Sequence, residues 1–227
     1  MSEPRPLPSR RRALFFGLIA LLTAGELAVT WLALHPQVDA NYRAYYIDQS
    51  TTCLNKPVTG EYALGATVSF MPDDQPGARH LRVCGWAGPG GDGTHSVGTS
   101  SRLRFAIPPP ESNLILQMWM TAIAAPDGRD QQVVLLSSTG ARLGEATIPS
   151  GATRVLEFTV PPTAYSRRRQ RLDVILRYPT SMVMAPHVGA TDYRAIKLMS
   201  VQLRRPGDPP SNGPSDDPRA KRYQHGP

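Results

Sequence analysis

A continuous apolar stretch near the N-terminus, Ala13–Leu34, constrains this chain more than any other feature. Its one charged residue is Glu26, and three consecutive arginines precede it. A helix rises about 1.5 Å per residue and the hydrocarbon core of a bilayer is about 30 Å thick, so about twenty apolar residues can cross it. The stretch therefore predicts one transmembrane helix, with the rest of the chain on one side of the membrane.

The arginines also predict the orientation of this helix. Basic residues beside a first span are kept in the cytoplasm, whereas residues 35–39 on the other flank are nearly neutral. We therefore expect a single-pass protein of the bacterial inner membrane, with residues 1–12 as a cytoplasmic tail and the C-terminal domain in the periplasm. The alternative is a cleaved signal peptide, because Ser9-Arg10-Arg11 faintly resembles a twin-arginine export signal. Against it, the apolar run exceeds a signal core of about 7–15 residues, and no Ala-x-Ala site follows.

Glu26 predicts a contact inside the membrane. A charge near the middle of a span costs about 3 kcal/mol, and the apolar residues of the run return about 5 kcal/mol. At helical spacing Thr23, Glu26 and Thr30 share a face, which indicates a polar seam for another transmembrane helix. The alternative is a solitary, protonated Glu26 that the helix tolerates.

The two cysteines, Cys53 and Cys84, both follow the apolar stretch, in the part expected outside the cytoplasm. Oxidising conditions there predict a disulfide, which would close a loop of about thirty residues and stabilise the fold by about 3–4 kcal/mol. Two separate buried thiols are the alternative. We expect no metal site, because the sequence contains neither Cys-x-x-Cys nor His-x-x-x-His spacing, and we expect no cofactor.

The exported region has the pattern of an all-β domain. Residues 35–60 predict a stalk, 61–205 a single sandwich, and 206–227 a disordered tail rich in Pro, Gly, Ser and charge. Short alternating apolar runs separated by Gly and Pro turns predict an antiparallel β-sandwich, a jelly roll with an immunoglobulin-like sandwich as the alternative. The candidate strands are 62–70, 81–86, 102–107, 114–124, 131–137, 142–148, 154–160, 171–178 and 195–204.

Charge and motifs exclude several classes of function. The net charge is +7, yet the arginines are scattered and no basic helix with interleaved aromatics is present, so we expect no nucleic-acid binding. Histidines and acids occur without a spacing that pairs a nucleophile with a base or two carboxylates, so we expect no enzyme, and an envelope hydrolase is the weakest hypothesis. The basic loop 167–171 is interpreted as solvated surface, with contact to anionic lipid or acidic glycan as its alternative.

The strand at 114–124 holds the first candidate binding site. Leu114, Leu116, Met118 and Met120 are expected on the core face, which leaves Ile115, Gln117, Trp119 and Thr121 on the other. An indole flanked by amide and hydroxyl groups offers a flat surface and hydrogen bonds to a pyranose ring, so Trp119, Gln117 and Thr121 are candidate carbohydrate ligands. The alternative is that a loop or the stalk covers Trp119.

The glycine-rich stretch 87–93 and its flanks form the second candidate. Cys84-Gly85-Trp86 precede it and Thr94-His95-Ser96 follow it. One interpretation is a mobile, ligand-facing rim with Trp86 as the platform and His95 as a polar contact. The other is a wide connection whose Trp86 packs on the disulfide.

Two sets of short motifs then give a resemblance. The opening half has Gly85-Trp86, the glycine-rich gap, Ser101-Arg102-Leu103-Arg104-Phe105-Ala106-Ile107-Pro108 and the long apolar strand. The closing half has 131–135, Leu143-Gly144, 156–161, Pro186 and 192–198. Over residues 81–203 the chain resembles small jelly-roll domains of bacterial membrane glycosyltransferases and related cell-surface polysaccharide proteins.

The resemblance implies a periplasmic sandwich that touches carbohydrate beside glycan-building machinery. It also implies that the partner of the Glu26 face is a membrane protein of a polysaccharide synthesis or export machinery. Where such domains place a tryptophan after the glycine-rich gap, this chain has His95. The pair Asp192 and Arg194 is interpreted as a structural contact that fixes the last strand. We expect a non-catalytic accessory protein of exopolysaccharide or envelope-glycan assembly that binds glycan weakly, with a scaffold subunit docked through the Glu26 face, without glycan, as the alternative.

Overall fold

The computed structural model describes residues 9–35, 38, 42–43, 53–54, 56–71, 76–183 and 193–213. They belong to two compact units, Met1–Ala40 and Asn41–Pro227. The first unit contains helix α1, Ser9–Leu34, whose side chains from residue 13 onward are all exposed. Its segment Ala13–Leu34 has the length and composition of a membrane span and also passes as a signal sequence.

The second unit is built from two antiparallel sheets. The first sheet has the order β3-β4-β13-β6-β9, with β1 also paired to β13, and the second has the order β2-β5-β10-β7-β8. A helix α2, Pro76–Leu81, and a short β11-β12 pair complete it. The strands are β1 Thr67–Ser69, β2 Arg82–Cys84, β3 Trp86–Gly90, β4 Gly93–Ser96, β5 Ser100–Phe105, β6 Leu114–Ala122, β7 Gln131–Ser137, β8 Arg142–Ile148, β9 Thr153–Val160, β10 Leu172–Arg177, β11 Met182–Val183, β12 Tyr193–Arg194 and β13 Ile196–Arg204.

The strand order is that of a jelly roll. From β4 to β10 the chain crosses between the sheets at every connection except the β7-β8 hairpin, and β13 then returns to the first sheet between β4 and β6. The resulting four-strand rows, β4-β13-β6-β9 and β5-β10-β7-β8, are two interlocked Greek keys. This confirms the predicted sandwich and selects the jelly roll over the immunoglobulin-like alternative.

The core lies between the facing sides of the two sheets, as alternation predicts. On β6 the inward residues Leu116, Met118 and Met120 are fully buried, and Val174 and Leu176 of β10 are buried on the opposite sheet. Removing such a side chain from water stabilises the fold by about 1.5–3 kcal/mol. The outward residues of β6 are consequently fixed on the other face of the first sheet.

Three segments differ from the sequence predictions. Residues 87–93, expected as a mobile loop, form most of a β3-β4 hairpin, in which Gly93 (φ +135°) occupies a backbone conformation that L-residues rarely adopt. The predicted strand 62–70 is reduced to β1, and the predicted strand 81–86 begins inside α2. Strand propensity is low for glycine and proline, so the hairpin gives no signal in the sequence.

The described part of the predicted stalk packs on the sandwich. Cys53 and Cys84 form the predicted disulfide, with their Cα atoms 4.9 Å apart. The Lys56 amide donates to the Val83 carbonyl at 2.9 Å, and the Gly60 amide donates to the His80 carbonyl at 2.9 Å. Residues 56–60 are therefore part of the domain.

Candidate functional site

The outward residues of β6 lie in cross-strand rows on the first sheet. Trp119 is opposite Val155 of β9, and Thr121 is opposite Thr153 of β9 and Lys197 of β13. Directly opposed residues in an antiparallel sheet point to the same face, with side chains about 5 Å apart. These five residues, Trp119, Thr121, Thr153, Val155 and Lys197, are called the Trp119 patch.

The Trp119 patch combines exposed apolar surface with hydroxyl groups. Val155 is 41% exposed and is the one large hydrophobic side chain counted as exposed in the described part of the sandwich. Trp119 is half-buried beside it. The hydroxyls of Thr121 and Thr153 hydrogen-bond each other at 2.8 Å. An apolar pair bordered by hydroxyls and an ammonium group is chemically suited to the face and edge of a sugar ring.

His95 belongs to the same face of the sheet. It is opposite Lys197 across the β4-β13 pair, so His95, Lys197, Thr121 and Thr153 form one row over four strands. Burial, the largest cause, and the charges of Lys197 and Arg194 lower the pKa of His95, while Asp92 opposes them. Asp92 also forms an ion pair with Lys197. The structure thus brings His95 and Thr121 to one side of the sheet, about two strand spacings, or roughly 10 Å, apart.

A C-terminal segment, residues 205–213, lies along the patch, where the sequence predicted disorder from Pro206 onward. The Ser211 amide donates to the side-chain oxygens of Gln117 and Gln202, both at 2.9 Å. A Cβ added to Gly213 would lie 3.4 Å from the indole of Trp119. The segment therefore covers part of the Trp119 indole. The tail from 214 onward lies outside the described residues.

This segment changes the interpretation of Gln117. Its side chain is 5% exposed, and its oxygen accepts from Ser211. The structure thus contradicts Gln117 as an open carbohydrate ligand, because its side chain is buried and its amide oxygen accepts a hydrogen bond within the domain. The indole nitrogen of Trp119 is buried with no hydrogen-bond partner among the described residues, so this N–H is not open to a ligand from solvent.

Trp86 lies in the core rather than on a rim. It is 9% exposed, its ring packs 6.4 Å from that of Phe70, and its indole N–H donates to the Arg102 carbonyl at 3.0 Å. The platform hypothesis for Trp86 is therefore wrong, because the adjoining β2 and β3 carry the ring into the sandwich. Trp86 packs inside the domain, as the second interpretation expected, and the ring it packs against is that of Phe70.

The remaining predicted residues do not belong to the Trp119 patch. Thr23, Glu26 and Thr30 are exposed on α1, at the i, i+3 and i+7 spacing of one helix face. Arg194 is on β12, whereas Asp192 lies outside the described residues, so their pairing stays a prediction. Within the described ranges no three His, Cys, Asp or Glu side chains are grouped closely enough to hold a metal ion.

Sequence reasoning missed Thr153, Val155 and Lys197. Val155 and Lys197 lie within predicted strands, and Thr153 lies one residue before one. The cross-strand register that places all three beside β6 cannot be read from the alternation within a single strand. It also missed a buried ion cluster on the second sheet. There Asp173, fully buried, accepts from Arg104 at 2.8 Å and lies 3.2 Å from Arg171.

No protein-family model matches this sequence, and no curated protein matches it. Among solved structures, a carbohydrate-binding module (CBM6cm-2) of Cellvibrio mixtus lichenase 5A, in complex with cellotriose, is 12% identical and covers 63% of this chain and 98% of its own, with a TM-score of 0.35. A β-1,3-glucan-binding CBM6 from Bacillus halodurans is 14% identical and covers 63% of this chain and 99% of its own, with a TM-score of 0.35. A CBM22 xylan-binding domain from Paenibacillus barcinonensis is 11% identical and covers 66% of this chain and 99% of its own, with a TM-score of 0.33. Scores at this level carry no argument about ligands, and the jelly-roll assignment rests on the strand order.

Proposed function

We propose that this chain is a membrane-anchored, non-catalytic accessory protein of exopolysaccharide or envelope-glycan assembly, whose periplasmic sandwich binds carbohydrate weakly through the Trp119 patch. The resemblance of residues 81–203 to jelly-roll domains of membrane glycosyltransferases motivates the context. The observation that carries the binding claim is the opposition of half-buried Trp119 and exposed Val155, with a pair of threonine hydroxyls in the next row.

The chemistry of the patch supports a neutral or mildly acidic sugar. The C–H face of a pyranose packs on the indole and valine surface, while the hydroxyl oxygens of Thr121 and Thr153, which hydrogen-bond each other, keep lone pairs that accept from sugar hydroxyls. Lys197 adds a cation, although its ion pair with Asp92 already uses part of that charge. Low affinity is expected, because the patch is a shallow sheet surface that buries little of a ligand.

A polysaccharide panel tests this proposal. The full chain in mild detergent is applied to immobilised bacterial polysaccharides, and the retained fraction is compared between wild type and the variants Trp119→Ala and Thr121→Val. The second variant removes a hydroxyl while keeping the shape of the side chain. Ile175→Ala, at a half-buried position on β10 of the second sheet, is the control. We expect retention on at least one glycan, about tenfold weaker in both patch variants and unchanged in the control; retention on none contradicts the proposal.

A scaffold role without glycan binding is the second candidate. It is favoured by Glu26, which lies near the middle of the segment Ala13–Leu34 on one face with Thr23 and Thr30. Pull-down of the full chain in mild detergent, compared with Glu26→Leu, separates the two. A co-purifying glycosyltransferase or exporter that is lost in the variant supports docking through the helix. Retention of the same partner by the variant contradicts it.

A further inference from the structure

A cationic cleft lies beside the disulfide, between the residues Leu54, Lys56 and Val58, the end of α2 and the β2-β3 connection. Its volume is about 540 Å³, in the range of sites for small ligands. The cleft is lined by Leu54, Lys56, Val58, Arg79, Arg82 and the stretch from Val83 to Gly88, with Val97. It is separate from the Trp119 patch, to which none of these residues belongs.

The lining is positively charged. Lys56, Arg79 and Arg82 contribute three cations, and no carboxylate is among the lining residues that the structure describes. Burial and the charge of Arg79 lower the pKa of Arg82. Arg82 is half-buried, whereas Lys56 and Arg79 are exposed, so an anion in the cleft would meet one partly desolvated cation with two solvated cations beside it.

Arg82 is positioned to offer hydrogen bonds. Its Nη1 donates to the Ala87 carbonyl at 3.1 Å, and Thr94 donates to the same carbonyl at 3.0 Å, which fixes the guanidinium against the β3-β4 hairpin. A guanidinium has five N–H groups, so further donors remain after the bond to Ala87. Its planar fork matches the two oxygens of a carboxylate or phosphate.

The walls of the cleft are held in place by covalent and backbone links. The disulfide joins Cys53 to Cys84, and the Lys56 amide donates to the Val83 carbonyl. Leu54, Val58 and Val97 supply apolar surface between the cations. A concave site of mixed character suits a small ring-bearing ligand with an anionic group.

We propose that this cleft binds the anionic group of an acidic sugar, a uronate carboxylate or a sugar phosphate. Lys56 and Arg82 hold the oxyanion, and the apolar walls contact the sugar ring. The proposal is independent of the Trp119 patch, since either site can bind without the other. Together the two sites would make the domain selective for a charged polysaccharide.

Calorimetric titration of the full chain in a nonionic detergent tests the cleft. The probes are glucuronate, glucose 6-phosphate, glucose and inorganic phosphate, each at low salt. Variants Lys56→Gln and Arg82→Gln remove one cation each, and the exposed Lys56 makes its variant safe for folding. Arg142→Gln removes an exposed cation on β8, at the opposite edge of the same sheet, as the matched control.

We expect saturable binding of glucuronate or glucose 6-phosphate, weakened about tenfold in both cleft variants and unchanged in Arg142→Gln. Glucose should bind at least about tenfold more weakly, because it lacks the anionic group. Equal binding of inorganic phosphate overturns the assignment of a sugar ligand. Equal affinities of wild type and Lys56→Gln, or no saturable binding of either acidic sugar, overturn the cleft as the site. Loss of binding by Trp119→Ala alone would place the ligand on the patch and likewise contradict the proposal.

Discussion

Trp119 of β6 and Val155 of β9 lie directly opposite each other on the outer face of the first sheet. This pairing places a half-buried indole beside the exposed valine, where a regular sandwich face would carry polar residues. The hydroxyl pair of Thr121 and Thr153 lies one row further along. The first sheet therefore has a surface that combines apolar side chains with hydroxyl groups. A ligand reaches this surface only where the C-terminal segment leaves Trp119 accessible.

Removing the C-terminal segment should uncover Trp119. Truncation after Arg205 removes Ser211, which bonds Gln117 and Gln202, and Gly213, which lies against the indole. We expect stronger acrylamide quenching of tryptophan fluorescence in a Trp31→Phe background, since buried Trp86 contributes little quenching. Unchanged quenching would show that the segment does not cover the ring in solution.

Breaking the ion cluster on the second sheet should destabilise the domain strongly. Asp173→Asn removes the charge that pairs with Arg104 and Arg171 while keeping the side-chain shape. Since an unpaired buried guanidinium remains, the free energy of unfolding in urea should fall by about 3–5 kcal/mol. Asp127→Asn, in an exposed ion pair with Arg129, is the matched control and should leave the unfolding midpoint unchanged. A similar small effect in both variants contradicts this account.

Gly85 should not tolerate a side chain. Its φ is +73°, and a Cβ there would approach the Ser100 carbonyl oxygen to 2.1 Å. Gly85→Ala therefore combines backbone strain with a clash against main chain that has no room to move. Gly128→Ala, at φ +70° with open space around it, isolates the strain, which costs about 1–2 kcal/mol. Thermal unfolding should show a clearly larger loss for Gly85→Ala; equal losses would mean that β2 and β5 yield locally.

His95 should make stability depend on pH. Its pKa in the folded state is lowered below the ordinary value of about 6.5, chiefly by burial. Between those two pKa values the unfolded chain binds more protons, so stability is complete above about pH 6.5 and is lost as the pH falls through this window. Urea midpoints at pH 7.5 and 5.5 should differ less in His95→Gln than in wild type. An identical difference in both proteins would contradict this assignment.

Alternation along a strand was sufficient to predict the jelly-roll core, because period two alone separates Met118 and Met120 from Trp119 and Thr121. It could not predict contacts made by backbone atoms. The C-terminal segment is held on the sheet by the backbone amide of Ser211, and the β3-β4 hairpin is formed by backbone pairing of glycine-rich strands. Neither contact requires apolar side chains at regular spacing, so neither can be recognised in the sequence. Nor could it place Val155, because cross-strand register is a long-range property.

Fluorine NMR of the full chain labelled with 5-fluorotryptophan tests the central claim most directly. The chain has three tryptophans, one in α1, one in the core and one in the Trp119 patch, and Trp→Phe variants assign their resonances. On titration with a neutral polysaccharide retained in the panel, the account predicts a saturable shift of the Trp119 resonance, while Trp86, which lines the separate cationic cleft, stays unchanged. A saturable interaction that leaves Trp119 unmoved would contradict glycan binding by the Trp119 patch.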